Sequence, residues 1–129
     1  MTTLSFTVSE QDTALALGSG DVPVLATPRI LAWMEAATVA AASGRLDSGS
    51  TSVGIEVFLT HGRASGVGAR IDVEVTSVTE QDRGLTFEVV ARERARGSAD
   101  PDDAQDGVVV ASGRVVRAVV DRQRFLSRL

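Results

Sequence analysis

Apolar residues recur along this chain with two different periods, and the changes of period mark the expected elements. Over residues 4–8 apolar and polar side chains alternate, which predicts a half-buried strand. Glycines and a proline between residues 15 and 24 predict a loop. Residues 28–42 are mostly good helix formers with few polar side chains, so they predict one long helix.

The long helix has recognisable ends in the sequence. Thr27 followed by Pro28 is typical of a helix start, because the hydroxyl can act as N-cap and proline lacks only an N–H that has no partner there. Gly44 is placed to end the helix. Since the segment between them is apolar on nearly every side, we expect the helix to be buried all round.

The remainder of the chain predicts strands separated by short turns. Apolar and polar residues alternate, or β-branched residues follow one another almost without a break, at positions 53–61, 71–76, 85–96 and 108–120. In the first of these segments the parity places His61 on the same face as Val57 and Leu59. The histidine is therefore expected to point inward.

One apolar helix and about five antiparallel strands predict the α+β class. A curved antiparallel sheet wrapped around one long central helix would bury both elements, and that arrangement is the hotdog fold. Ferredoxin-like packing is the main alternative, but it requires two helices and the pattern predicts one. Nothing divides the 129 residues into two cores, so we expect a single domain over residues 1–129.

Composition narrows the classes of function. The chain is 43% hydrophobic and 23% charged, and no apolar segment is long enough for a membrane span. The first residues lack the pattern of a secretory signal, so we expect a cytoplasmic protein. A net charge of −4 argues against nucleic acid as a partner. With no cysteine and a single histidine, we expect neither a metal site nor a cofactor.

Glu35 is the most informative residue of the predicted helix. A carboxylate in the middle of an apolar helix is partly desolvated, which disfavours its charged form unless donors or a cation compensate. Such a group is a candidate acid, base or nucleophile. The alternatives are that Glu35 lies on an exposed or dimer-facing stripe, or that it pairs with an arginine for structural reasons.

His61 and Thr27 are further candidates with structural alternatives. A lone histidine near a turn is often only a hydrogen-bonded structural residue, and Thr27 is explained equally well as a helix N-cap worth ~1 kcal/mol. Thr27 and Glu35 lie eight residues apart, about 12 Å along a helix, so they share a site only if they come from different subunits. The strand at 53–59 is a plausible edge that pairs with its own copy. We therefore expect a homodimer or a dimer of dimers.

Three segments resemble the fluoroacetyl-CoA thioesterase-like branch of the hotdog acyl-CoA thioesterases. The first segment is residues 24–31 together with Glu35-Ala36-Ala37, the second is residues 53–57 together with Thr60-His61, and the third is Gly66-Val67-Gly68. The resemblance covers roughly residues 20–92. It implies an acyl-CoA substrate. It also implies that Thr27, Glu35 and His61 are the catalytic positions, and that Gly54 is the small residue that lets the acyl thioester lie against the strand.

These residue types fit thioester hydrolysis. Glu35 would attack the carbonyl or activate a water, and His61 would act as general base and acid. Thr27 would hydrogen-bond Glu35 or the carbonyl oxygen, near a helix N-terminus that stabilises the oxyanion. Between residues 7 and 35 the only aromatic residue is Trp33, so no aromatic lid for fluoroacetyl-CoA is evident. We expect a different short or medium acyl chain.

Two other functions remain possible for a protein with this fold. A non-catalytic module that binds acyl-CoA or another small ligand would use the same pocket. A hydratase or dehydratase of acyl thioesters is disfavoured, because such enzymes usually pair an aspartate with a histidine on one segment, and no aspartate lies within ten residues before His61.

Arginines and aspartates near the C-terminus are less specific features. Arg92, Arg94 and Arg96 alternate along one strand, and five arginines lie between residues 114 and 128. Both sets fit a solvated face or contacts to CoA phosphates. The aspartates between Gly97 and Gly107 fit a mobile hairpin tip better than a calcium loop.

Overall fold

The computed structural model describes residues 2–95, 97 and 106–129. Arg96 and most of the predicted acidic hairpin tip, residues 98–105, therefore lie outside the described residues. The described strands are β1 (Thr3–Thr7), β2 (Ser50–His61), β3 (Arg70–Gln81), β4 (Gly84–Glu93) and β5 (Val108–Asp121). The α-helices are α1 (Ala14–Leu17), α2 (Thr27–Ala42) and α3 (Arg122–Ser127).

The five strands form one antiparallel sheet in the order β1-β3-β4-β5-β2. The sheet curls around α2, so the predicted α+β hotdog architecture is confirmed. The order leaves β1 and β2 at the two edges of the sheet. Strand β2 pairs with β5 along its whole length, and its other edge has no neighbour among the described residues.

The core lies between α2 and the concave face of the sheet. Alternate residues of each central strand point to this face, as the two-residue period requires. Phe6 and Trp33 stack with ring centroids 4.5 Å apart and fasten β1 to the helix. The helix contributes Ile30, Trp33, Met34 and Ala37 to the core, and the sheet contributes Ile71, Val73, Val75, Phe87, Val89, Ala91 and Val115.

The expectation that α2 is buried on all sides is wrong for the single chain. Along one stripe the helix exposes Ala32, Ala36 and Val39, and the Val39 side chain is 51% exposed. Glu35 lies beside this stripe and is only half-buried. The three side chains form a stripe because they recur four and three residues apart, which places them on one helical face.

Two short helices were not predicted. Helix α1 falls in the segment interpreted as a loop, where Thr13 caps it by accepting a hydrogen bond from the Ala16 N–H. Helix α3 follows β5 and is capped by Asp121, which accepts from the Arg124 N–H. Both are shorter than two turns, so neither gives a clear apolar period in the sequence. Within the described part of the chain, no helix is long and apolar enough to cross a membrane.

Candidate active site

Thr27 and His61 lie against each other where α2 begins and β2 ends. The Thr27 Oγ1 and His61 Nδ1 atoms are 2.8 Å apart, which is a hydrogen bond between side chains. The N-cap of α2 is Ala26, and Thr27 is already the first helical residue. The interpretation of Thr27 as a helix N-cap is therefore wrong, and its hydroxyl is free to bind the imidazole.

The other ring nitrogen of His61 is unpaired. Nε2 is buried and has no hydrogen-bond partner among the described residues. Burial lowers the pKa of His61 from its ordinary value of 6.5, and the nearby backbone of Arg63 offsets this effect only in part. A neutral imidazole with one nitrogen held by a hydroxyl and the other unoccupied can accept a proton from a reactant.

Glu35 lies at a different place, above the middle of the strand pair formed by β2 and β5. Its Oε2 atom is 3.6 Å from Nη1 of Arg117, which makes an ion pair longer than a hydrogen bond. A Cβ added to Gly54 would lie 2.6 Å from the same oxygen. The carboxylate therefore occupies the space that a side chain at position 54 would fill, and its side chain remains 38% exposed.

Sequence reasoning missed Arg117 as a neighbour of Glu35. Arg117 was grouped with the basic C-terminal segment, yet its side chain is only 8% exposed and it faces the helix. Its Nε donates to the Ser52 hydroxyl at 2.8 Å, and its Nη2 donates to the Ser52 carbonyl oxygen at 3.1 Å. Parity in β5 was the available signal, because Arg117 lies two residues after the buried Val115 and therefore on the same face of the strand.

Thr27 and His61 are brought together within one chain, whereas Glu35 is not joined to them by any described contact. Gly54, which marks the position of the carboxylate, lies seven residues before His61 on β2. At the rise of a strand this separation is about 20 Å. One chain therefore contains two separate candidate groups, a hydroxyl–imidazole pair and a carboxylate paired with an arginine.

Three of the remaining arginines of the sequence analysis pair with carboxylates. Arg94 makes two hydrogen bonds to Asp72, at 2.7 and 2.8 Å, and Arg92 and Arg114 form ion pairs with Glu74 and Glu88. These contacts explain the arginines as structural partners. In the described ranges no three side chains of the metal-binding types gather into a possible metal site.

The curled sheet and the central helix are those of the hotdog fold, and the comparisons with known proteins show a thioester hydrolase. The sequence model of the fluoroacetyl-CoA-specific thioesterase family, FlK, matches residues 8–123, and the chain belongs to that family. A search of curated proteins found no match.

Solved structures of the same fold agree with this assignment. A mutant of the fluoroacetyl-CoA-specific thioesterase FlK in complex with fluoroacetate and CoA is 25% identical, with a TM-score of 0.80 over 99% of this chain and 95% of that chain. Another structure of the fluoroacetyl-CoA thioesterase FlK is 26% identical, with a TM-score of 0.79 over 98% and 89%. A Thermus thermophilus protein described as a thioesterase superfamily member is 17% identical, with a TM-score of 0.81 over 98% and 85%, and shows the fold alone.

Proposed function

We propose that this enzyme hydrolyses a short or medium acyl-CoA to the free acid and CoA, in a site shared by two copies of the chain. Thr27 and His61 come from one copy and Glu35 from the other. The observation that carries the proposal is the Thr27–His61 hydrogen bond of 2.8 Å at Nδ1, together with a buried Nε2 that has no partner in the described part of the chain. An unpaired buried nitrogen costs free energy unless a reactant binds it.

An antiparallel pairing of β2 with its own copy supports the shared site. Ile55 is skipped in the pairing with β5, because Gly54 and Glu56 lie opposite consecutive residues of that strand. Suppose that this bulge is kept and that the two-fold axis passes through Phe58. In that arrangement Leu59, Thr60 and His61 of one copy lie opposite Val57, Glu56 and Gly54 of the other, in that order. Directly opposed residues are about 5 Å apart and face the same side of the sheet. The Glu35 carboxylate above Gly54 then approaches His61 of the second copy.

Exposed apolar surface supports the same pairing. On β2 the Ile55, Val57 and Phe58 side chains are 62%, 39% and 71% exposed. Val57 and Phe58 are consecutive residues of the strand and point to opposite faces of the sheet, so the edge is apolar on both faces. An open apolar edge invites pairing with another strand, and a second copy would cover it.

The chemistry divides between these groups. If a water attacks the thioester carbonyl carbon, Glu35 activates it and His61 takes its proton; the carbon–sulfur bond then breaks, and His61 returns that proton to the CoA sulfur. If the Glu35 carboxylate attacks, CoA leaves as the thiolate, and a water then hydrolyses the acyl–Glu35 anhydride while His61 transfers the proton of that water to the thiolate. The N-terminus of α2 at Thr27 places partial positive charge near the developing oxyanion. Hydrolysis consumes one water overall and needs no other reactant.

The residues before the site favour an aliphatic acyl group other than fluoroacetyl. Trp33 is the only aromatic residue between positions 7 and 35, and it is stacked on Phe6 in the core. It cannot serve as a lid. The segment before Thr27 instead exposes Leu15, Leu17 and Val22, which are 54%, 41% and 50% exposed. Aliphatic side chains at this place suit a short or medium hydrocarbon chain.

Release of CoA thiol from a panel of acyl-CoAs, including fluoroacetyl-CoA, tests this function. A thiol reagent reports only the product, because the protein has no cysteine. We expect turnover of short or medium acyl-CoAs by the parent protein, and a loss of at least about 100-fold in kcat for Glu35→Gln. Glu80→Gln, which alters an exposed carboxylate, is the matched control.

Two results of this assay would contradict the proposal. Binding of acyl-CoA without turnover of any thioester would identify a ligand-binding module instead of an enzyme. Unchanged turnover by Glu35→Gln would remove Glu35 from the mechanism while leaving the hydrolase activity in place.

A further inference from the structure

The contacts that hold Glu35 come from the sheet and not from its neighbours in the helix. Arg117 approaches from β5 and Ser52 supports Arg117 from β2. Gly54 leaves the space in which the carboxylate lies. The three residues lie on adjacent strands, since Gly54 is paired directly with Arg117.

We propose that Arg117 is the positioning residue for Glu35, directing its carboxylate over Gly54 towards the reacting carbonyl. This inference rests on the proposed function, because it assigns a role to Arg117 through the reaction of Glu35. Ser52 orients the guanidinium, and Gly54 gives the carboxylate room to lie against the strand.

The geometry of Arg117 suits this role. Two of its nitrogens are fixed on Ser52, so Nη1 is presented to Glu35 in one direction by the planar guanidinium. The distance of 3.6 Å is too long for a hydrogen bond, so the pairing supplies charge without occupying the lone pairs of the carboxylate. Those lone pairs remain available for a water or a carbonyl carbon.

Charge supports the same inference. Burial lowers the pKa of Arg117, and the nearby Glu35 carboxylate opposes that effect. An arginine remains protonated even when buried, so the site always contains its cation. The arginine within α2 itself, Arg29, is already paired with Asp12 at 2.9 Å. Arg117 is therefore the cation that the described contacts assign to Glu35.

A variant series on the full-length protein tests the role. Arg117→Met keeps the aliphatic volume and removes the charge, and we expect kcat to fall about 100-fold while KM changes less than about three-fold. Arg117→Lys restores a cation without the planar guanidinium, and we expect its kcat to be about ten-fold higher than that of Arg117→Met. Arg92→Met removes a partly buried arginine of a different ion pair and is the matched control.

A double-variant comparison separates positioning from a general structural effect. If Arg117 acts through Glu35, Arg117→Met adds no further loss of kcat to Glu35→Gln. Equal losses in the two backgrounds, or failure of Arg117→Lys to recover any activity while the variant remains folded, would overturn the inference. Thermal unfolding of the same variants gives a readout independent of activity: coupling of the two stability effects supports the pairing, and strict additivity contradicts it. If the parent protein has no thioesterase activity, the proposed function is refuted. The coupling of the stability effects then tests only whether Arg117 and Glu35 are paired.

Discussion

Thr27 and His61 are 34 residues apart in the sequence, yet the Thr27 hydroxyl and the His61 imidazole are hydrogen-bonded at 2.8 Å. The contact depends on how the chain enters α2. The Leu25 N–H donates to the Ser65 carbonyl oxygen at 2.8 Å, and Val24 forms a β-bridge with Gly66. These backbone contacts hold the start of the helix against the segment that follows β2.

Removing the Thr27 hydroxyl tests the first of these contacts. Thr27→Val keeps the shape of the side chain but leaves His61 Nδ1 without a partner. We expect kcat to fall about 10- to 100-fold, because the imidazole loses its fixed orientation and tautomer. Thr27→Ser retains a hydroxyl and should remain within about ten-fold of the parent. Steady-state kinetics of the two variants side by side measure the effect, and equal activity of both would show that the hydroxyl is not used.

The pH dependence of activity tests the state of His61. Burial lowers its pKa below 6.5, so the folded enzyme holds the imidazole neutral at pH values where a free histidine is already half protonated. As the pH falls, the base is therefore lost only below 6.5. We expect kcat/KM to decline on the acid side with a midpoint under this value. An acid-side midpoint at or above 6.5 would contradict the assignment of His61 as the base.

Mixed dimers test whether the site is shared between two copies. Glu35→Gln and His61→Ala homodimers should each be nearly inactive. After unfolding and refolding of an equal mixture, half of the dimers are heterodimers, and each has one intact site if Glu35 acts across the interface. We expect recovery of about a quarter of the parent activity. With both residues acting within one chain, no intact site forms and the mixture stays inactive.

Periodicity was sufficient for the fold because every major element has a clear pattern. The long helix and all five strands lie close to their predicted positions, although β2 begins at Ser50 and β3 continues to Gln81. Alternation weakens in these extensions, where side chains are partly exposed on both faces. The short helices were missed because each depends on a local cap and not on a period.

The sequence predicts the residue types of the candidate site but not their arrangement. The sequence grouped Thr27, Glu35 and His61, but spacing does not show that the hydroxyl pairs with the imidazole while the carboxylate pairs with Arg117. That division depends on the register between β2 and β5, which brings Gly54 opposite Arg117. Register is a tertiary property, set by pairing across the sheet, so one sequence does not reveal it.

Gly54→Ala tests the space occupied by Glu35. The added methyl group would meet Oε2 of Glu35 at 2.6 Å, and the carboxylate is the flexible end of a half-exposed side chain. It is therefore expected to move aside, so that kcat falls about 10- to 100-fold while the melting temperature changes little. Gly44→Ala, where a methyl group meets nothing within 4 Å, is the matched control. Full activity of Gly54→Ala would show that the position of Glu35 over the strand is not required.

The buried ion pair between Asp72 and Arg94 is independent of the active site and tests the account of the fold. Asp72 is 3% exposed and accepts two hydrogen bonds from Arg94 at 2.7 and 2.8 Å, and the Ser5 hydroxyl of β1 donates to the same carboxylate. Burial alone would raise the pKa of Asp72. The hydrogen bonds and the charges of Arg94 and Arg70 more than offset this and hold the pKa below its usual value.

A lowered pKa in the folded state means that the ion pair stabilises the protein above the ordinary aspartate pKa of 3.8, and that this stability is lost as the pH falls through the folded value. Asp72→Asn leaves Arg94 buried without its carboxylate, and we expect it to cost about 3–5 kcal/mol at neutral pH. Glu80→Gln removes an exposed pair with Arg45 and should cost less than about 1 kcal/mol. Urea unfolding of both variants at pH 7 and pH 3 measures the difference. Equal stability of Asp72→Asn and the parent at pH 7 would show that the pair does not hold β1 to the sheet.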